Sequence, residues 1–182
     1  MTQPSTFILA IAGSPTAPSR TSALMVYAAD HFARANLRAL VLNVRDLDAE
    51  ELLHGRYDGA SVRAASAQVS AARAIVVATP VYKAAYTGTL KTFLDLLPGD
   101  AFAGKVVLPV AIGGSAAHSL AVDYALRPLC AALGAYHVLP GLYLVDKSLD
   151  VRDGVLHGFA EPETEARTIA ALDLVVAALA RS

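Results

Sequence analysis

Apolar residues along this chain gather in uninterrupted runs rather than alternating ones. Phe7 to Ala12, the stretches near Ala39 to Val44 and Ala74 to Ala78, Val106 to Ile112 and, more loosely, His137 to Val145 have this character. Short continuous runs of this kind predict strands buried on both faces. Between them the apolar period changes. Leu24, Tyr27, Ala28, His31 and Phe32 recur at helical spacing, and Leu126, Leu129, Cys130 and Leu133 form a second stripe closed by Gly134. Further helices are predicted near Ser61 to Ala72, from about Thr89 to Leu97 before Pro98-Gly99, and from about Pro162 to Ala180. Pro109 lies inside the fourth run, where it argues against a central strand, but the apolar residues around it outweigh that. Buried strands alternating with helices mean a parallel sheet covered on both sides. Five such units predict an α/β, flavodoxin-like, doubly wound five-stranded parallel sheet in three layers, spanning residues 1–182 as one domain.

Composition narrows the setting. With 182 residues, 55% of them hydrophobic and only 17% charged, the chain can bury a continuous core and is expected to hide further surface in a homodimer or homotetramer. A net charge of −1, without basic or acidic blocks, gives nucleic acid and anionic membrane nothing to bind. Cys130 is the single cysteine, so no intrachain disulfide can form, and its apolar stripe makes it a core residue. Met1 to Thr6 is polar, and Phe7 to Ala12 is too short and lacks the basic start of a signal peptide. Ile169 to Ala180 is interrupted by Asp173 and falls short of the ~20 residues of a membrane span. A cytoplasmic protein is expected. The five histidines show no metal-ligand spacing. His31 reads as a half-buried, hydrogen-bonded side chain, and Asp46, Asp48, Glu50 and Glu51 read as a solvated acidic patch.

Three loops carry the candidate chemistry, each directly after a predicted strand, so all three open on one edge of the sheet. Gly13 to Ser22 brings Ser14, Ser19, Arg20 and Thr21 to a helix start, where hydroxyls, free amides and a guanidinium suit an anion. It matches neither a Walker loop nor GxGxxG, and its pattern alone is equally that of an ordinary Ser/Thr helix cap. Thr79 to Lys91 offers two tyrosines, a lysine and backbone amides to a flat heterocycle. Gly113-Gly114-Ser115, continuing to His118, lets a backbone approach a ligand closely because glycine has no Cβ.

These stretches resemble the NADPH-dependent FMN reductases of the sulfonate-assimilation type. The likeness is carried by the Gly13 loop with Ser19-Arg20, by Ala78 to Tyr86 through Leu94-Asp95-Leu96, by Gly104 to Pro109, and by His118 through Ala121 to Leu126. It covers the chain to about Val145 and is weakest beyond. The resemblance implies that Ser14, Ser19, Arg20 and Thr21 hold the FMN phosphate, while Pro80, Val81, Tyr82, Lys83 and Gly113, Gly114, Ser115 hold the isoalloxazine ring. Many relatives have an arginine after the first proline of the loop. This chain has Thr16, which leaves more of the phosphate charge to Arg20. The family reduces FMN with NADPH and passes reduced flavin to a monooxygenase that desulfonates alkanesulfonates. Hydride transfer is the cofactors' own chemistry, so no general acid or base is nominated.

A hydrolase needs a nucleophile elbow, and Gly113-Gly114-Ser115-Ala116-Ala117 lacks its final glycine. A pure electron carrier needs an acidic steering face that a net charge of −1 does not supply. An FMN-retaining quinone or azo reductase is poorly separated by sequence.

Tyr124 is the last candidate. Pro128 has no amide hydrogen for the Tyr124 carbonyl four residues back, so the helix must kink or widen into a π-type bulge. In the resembling family such a bulge lies at a subunit interface beside the flavin, and a related methanesulfonate branch tends to carry histidine there. On that basis Tyr124 is expected to keep the flavin exchangeable.

Overall fold

Alternate residues of a strand face opposite sides of a sheet, and in β1 (Phe7–Ala12) both sides are buried. Ile8, Ala10 and Ala12 pack with Leu24, Met25, Phe32, Leu172 and Val175. Leu9 and Ile11 pack with Val62, Val69, Phe93, Leu126 and Cys130 on the other side. Helices α1 (Arg20–Arg34) and α6 (Pro162–Ala180) therefore cover one face. Helices α3 (Ala60–Ala71), α4 (Gly88–Leu94) and α5 (Arg127–Ala132) cover the other. The structure, a computed structural model, describes residues 7–181. The polar start Met1 to Thr6, read above for a signal peptide, lies outside the described residues.

The sheet runs β2 (Arg38–Asn43), β1, β3 (Ala74–Pro80), β4 (Val106–Gly113), then a fifth position, all parallel. This is the flavodoxin-like order, with its reversal between β1 and β3. Among the described residues no helix is long and apolar enough to cross a membrane.

The fifth strand differs from expectation. Instead of one run from His137 to Val145 there are two short strands, β5 (His137–Val138) and β6 (Leu142–Val145), so five sheet positions hold six strands. Pro109 supplies the reason. Val106 and Val107 pair with β5, and Val110 to Gly113 pair with β6. Leu139 N–H donates to the Val107 carbonyl, so Val107, and with it Pro109 two residues on, turns its polar groups to the fifth position. Proline has no hydrogen to donate there, and the fifth strand breaks at Pro140-Gly141 alongside it. Pro109 is tolerated in a central strand because its neighbour does not ask for the missing bond.

The helix carrying Tyr124 divides as well. Val122–Leu126 is a π-helix, and α5 begins at Arg127 with Pro128 in its first turn, where a missing amide hydrogen is harmless. Beyond β6 lies a hairpin that the periodicity reading missed, β7 (Leu149–Arg152) paired with β8 (Val155–Phe159). Its turn, Asp153-Gly154, has φ of 50° and 79°, the left-handed pair that Asp-Gly favours. The hairpin leans on α1, with Tyr27 and Phe159 rings edge to face at 5.4 Å.

The acidic stretch is not merely solvated. Asp48 accepts the Glu51 N–H and caps the short α2 (Ala49–Leu53). Glu51 accepts from Ser61 N–H, Ser61 Oγ and Val62 N–H, capping α3 from outside where Gly59 has no side chain to do so. Those bonds hold its carboxyl below the usual range. His31 meets Asp173 at 2.8 Å, tying α1 to α6 as a hydrogen-bonded, partly exposed histidine.

Candidate active site

The loop after β1 is anchored before it binds anything. Gly13 N–H donates to the Ala78 carbonyl at 2.8 Å, and Thr87 Oγ1 donates to the Gly13 carbonyl at 2.5 Å. Thr87 in turn caps α4 at Leu90, and its N–H is taken by the buried Thr79 Oγ1. A side chain at Gly13 would strike Leu90 at 2.6 Å, which is why the turn packs so closely there. The loops after β1 and β3 are thus one hydrogen-bonded unit.

From that anchor the chain enters α1. Ser19 is the N-cap, accepting weakly from Ser22 N–H at 3.3 Å, and no acidic residue stands in the first turn. Ser14, Ser19 and Thr21 are buried hydroxyls grouped at a positive helix end. Arg20 is exposed beside them and makes no ion pair among the described residues. Thr16, standing where many relatives carry arginine, has its carbonyl held by Arg45 at 2.8 Å. The same guanidinium donates to Ser22 Oγ at 2.8 Å. Arg45 braces the loop's backbone, and Arg20 remains as its free cation.

The loop after β3 turns sharply. Tyr82 and Ala85 exchange both backbone bonds across Lys83 and Ala84, whose φ values are 51° and 64°. Such non-glycine left-handed residues are strained and concentrate at functional sites. The loop after β4 is pinned differently. Tyr143 Oη donates to the Ser115 carbonyl at 2.5 Å, and a Cβ on Gly113 would collide with that oxygen. Burial, then the Asp146 carboxylate, pushes the Tyr143 phenol up, keeping it a donor.

These loops line one cleft of about 580 Å³, its open mouth included. Of the nominated residues, Ser14, Ser19, Arg20, Thr21, Pro80, Val81, Tyr82, Gly113 and Gly114 line it. Lys83 and Ser115 do not line it. The Lys83 side chain is exposed at the turn, and Ser115 contributes its carbonyl to Tyr143. Tyr124, 79% exposed, is also outside it. Asp146, directly after β6, lines the cleft and was not nominated. Its signal was available, since it follows a strand as the other three loops do. Arg45 carried no such signal, because its partners are brought to it only by the fold.

A hydroxyl-rich helix start at one end, bare glycine backbone at the other, and a proline–tyrosine segment between them suit a phosphorylated, flat heterocycle. Gly114 leaves open space where a Cβ would sit, so the chain itself fills nothing there. Fold and cleft together define a flavodoxin-like protein built for a mononucleotide at the switch point. Residues 6–150 match the family model described as NADPH-dependent FMN reductase. An FMN reductase (NADPH) of Escherichia coli strain K12 is 45% identical over 142 residues, 78% of this chain and 74% of that protein. One of Pseudomonas putida is 40% identical over 174 residues, 96% of this chain and 88% of its own. A crystal structure of an NADH:FMN oxidoreductase in apo form superposes with a TM-score of 0.85 at 40% identity, covering 93% of this chain and 88% of that one. The chain belongs to the NADPH-dependent FMN reductase family, and is an oxidoreductase whose cofactors are FMN and NADPH.

Proposed function

We propose that this protein uses FMN as an exchangeable substrate, reduces it with NADPH, and delivers it to a separate flavin-dependent alkanesulfonate monooxygenase. The observation that carries the reading is the single cleft in which the buried hydroxyls of the first loop face the glycine backbone of the third. Ser14, Ser19, Thr21 and Arg20 hold the phosphate, the hydroxyls and helix end by hydrogen bonds and Arg20 by charge. Pro80, Val81, Tyr82 and the Lys83 backbone, with Gly113, Gly114 and Ser115, seat the ring. The Thr79–Thr87–Gly13 bonds and the Tyr143–Ser115 bond keep these two seats in fixed register, which is the orientation the reaction needs. FMN, when bound, supplies the hydride acceptor. The chain supplies position and electrostatics, with no proton transfer assigned to a side chain.

Tyr124 enters the reading from outside the cleft. It stands on the π-helix, Leu120 lies in the turn just before, and both are exposed, 79% and 61%. We assign this apolar ridge to a contact between copies of the chain in a homodimer or homotetramer, with Tyr124 shaping the surface over the flavin so that it can leave. The buried lone cysteine, its thiol pushed up to about 12 by burial, suits a reducing cytoplasm.

The test is steady-state reduction of FMN by NADPH and NADH, together with the flavin content of purified protein. Nearly colourless protein with saturable FMN turnover, and reduced flavin usable by an added alkanesulfonate monooxygenase, is the expected result. Yellow protein with stoichiometric flavin and faster reduction of quinones or azo dyes would establish a flavin-retaining reductase instead.

A further inference from the structure

A second cavity, about 790 Å³ with its mouth, adjoins the loop after β4. Its wall includes Tyr143 together with Ala116 and Ser119, which follow the Gly113–Gly114 segment of the first cleft along the chain. Asp146 and Lys147 are neighbours on the turn after β6, and the first lines the flavin cleft while the second lines this one. Arg167, on α6, lines the same cavity as Lys147. Arg167 gives one nitrogen to the Tyr143 carbonyl at 3.3 Å and has its other donors left over. Lys147 makes no hydrogen bond or ion pair among the described residues. Ser119 and Ser148 add hydroxyls, Ser148 donating to the Val145 carbonyl with its lone pairs to spare. Glu161 is the one carboxylate in the lining, so two cations face a single anion.

We propose that this cavity binds the 2′-phosphate of NADPH, with Lys147 and Arg167 as the residues that distinguish NADPH from NADH. The inference rests on the reading of the first cleft as the flavin seat. The two linings adjoin along the chain at Gly114 and Ala116 and at Asp146 and Lys147, so a nucleotide whose nicotinamide lies over the ring has its adenosine half within reach of the basic cavity. A phosphomonoester dianion is the group that calls for two converging cations and hydroxyls. With Glu161 set against Lys147 and Arg167, the lining keeps a net charge of +1 for that dianion. The relatives themselves divide, with NADPH in the names of two and NADH in the other, so the choice between the nucleotides must reside in side chains that the fold leaves free to vary.

Lys147→Ala is the decisive variant, because an exposed lysine without partners can be removed without harm to the fold. It is expected to raise KM for NADPH about tenfold more than KM for NADH, an effect on the order of one charge-assisted contact. Arg167→Ala should act in the same direction. Calorimetry on the parent protein gives a readout free of turnover, with 2′,5′-ADP binding at least about tenfold more tightly than 5′-AMP and Lys147→Ala abolishing the difference. Equal changes for NADPH and NADH, or equal binding of 2′,5′-ADP and 5′-AMP, would overturn the assignment. If neither nucleotide reduces FMN, the flavin reading fails on its own, and the calorimetric comparison still decides this one.

Discussion

At the level of single residues, the hydroxyl-rich loop of the cleft shows how a short chemical pattern acquires meaning. Ser14, Ser19 and Thr21 were legible because hydroxyls between a strand and a helix start suit both a cap and an anion. The structure has Ser19 serving as the cap, while all three hydroxyls and Arg20 line one cleft. Arg45 and Tyr143 could not be read in the same way. Their partners lie tens of residues away for Arg45 and Tyr143, and a contact at that separation has no local signature. The division of labour between the arginines yields a test. Arg20→Ala should weaken FMN binding by about 1.5–3 kcal/mol, roughly ten- to hundredfold, and riboflavin binding far less, since only FMN carries the phosphate. Fluorescence titration with both flavins decides it, and equal losses would remove the phosphate from this loop.

Among the elements, the recurring lesson is that a deficiency in one is met by another. Pro109 cannot donate, so the fifth strand divides. Pro128 cannot donate either, so a π-turn precedes it and α5 starts around it. Gly59 cannot cap α3, so Glu51 does so from α2. This last arrangement makes stability depend on pH in a stated direction. The carboxyl of Glu51 is lowered from an ordinary value of 4.5, chiefly by the Ser61 hydroxyl and then by the Val62 amide. A lowered folded value means the contribution is complete above the unfolded value and disappears as pH falls through the folded one. Urea midpoints of the parent and Glu51→Gln should therefore differ at neutral pH and converge as the solution is acidified below about 4. A gap that stays constant down to that range would show that the carboxylate's charge is not what caps the helix.

For the molecule as a whole, the apolar composition leaves surface that the fold does not cover. Leu120, just before the π-helix, and Tyr124 on it are both exposed. Sedimentation equilibrium is expected to find at least a dimer of the 18.9 kDa chain at micromolar concentration. Tyr124→Ala should keep the fold, alter that assembly, hold FMN more tightly and slow its transfer to a monooxygenase. A variant with the parent's mass, flavin dissociation constant and turnover would reduce Tyr124 to packing.

What the sequence determined by itself was the set of buried strands, their parallel layering and the edge on which the loops open. Those follow from continuous apolar runs and the turn residues that end them, and both act within a few residues of chain. Tertiary structure alone decided where the fifth strand breaks, which arginine braces the loop after β1 and which stays free. It also decided that Lys147 and Arg167, twenty positions apart, line one cavity adjoining the loop after β4. Such outcomes depend on which strand lies beside Pro109 and which helix end lies beside β6. That adjacency is set by the packing of two helical layers on one sheet, a property that no local stretch of sequence carries.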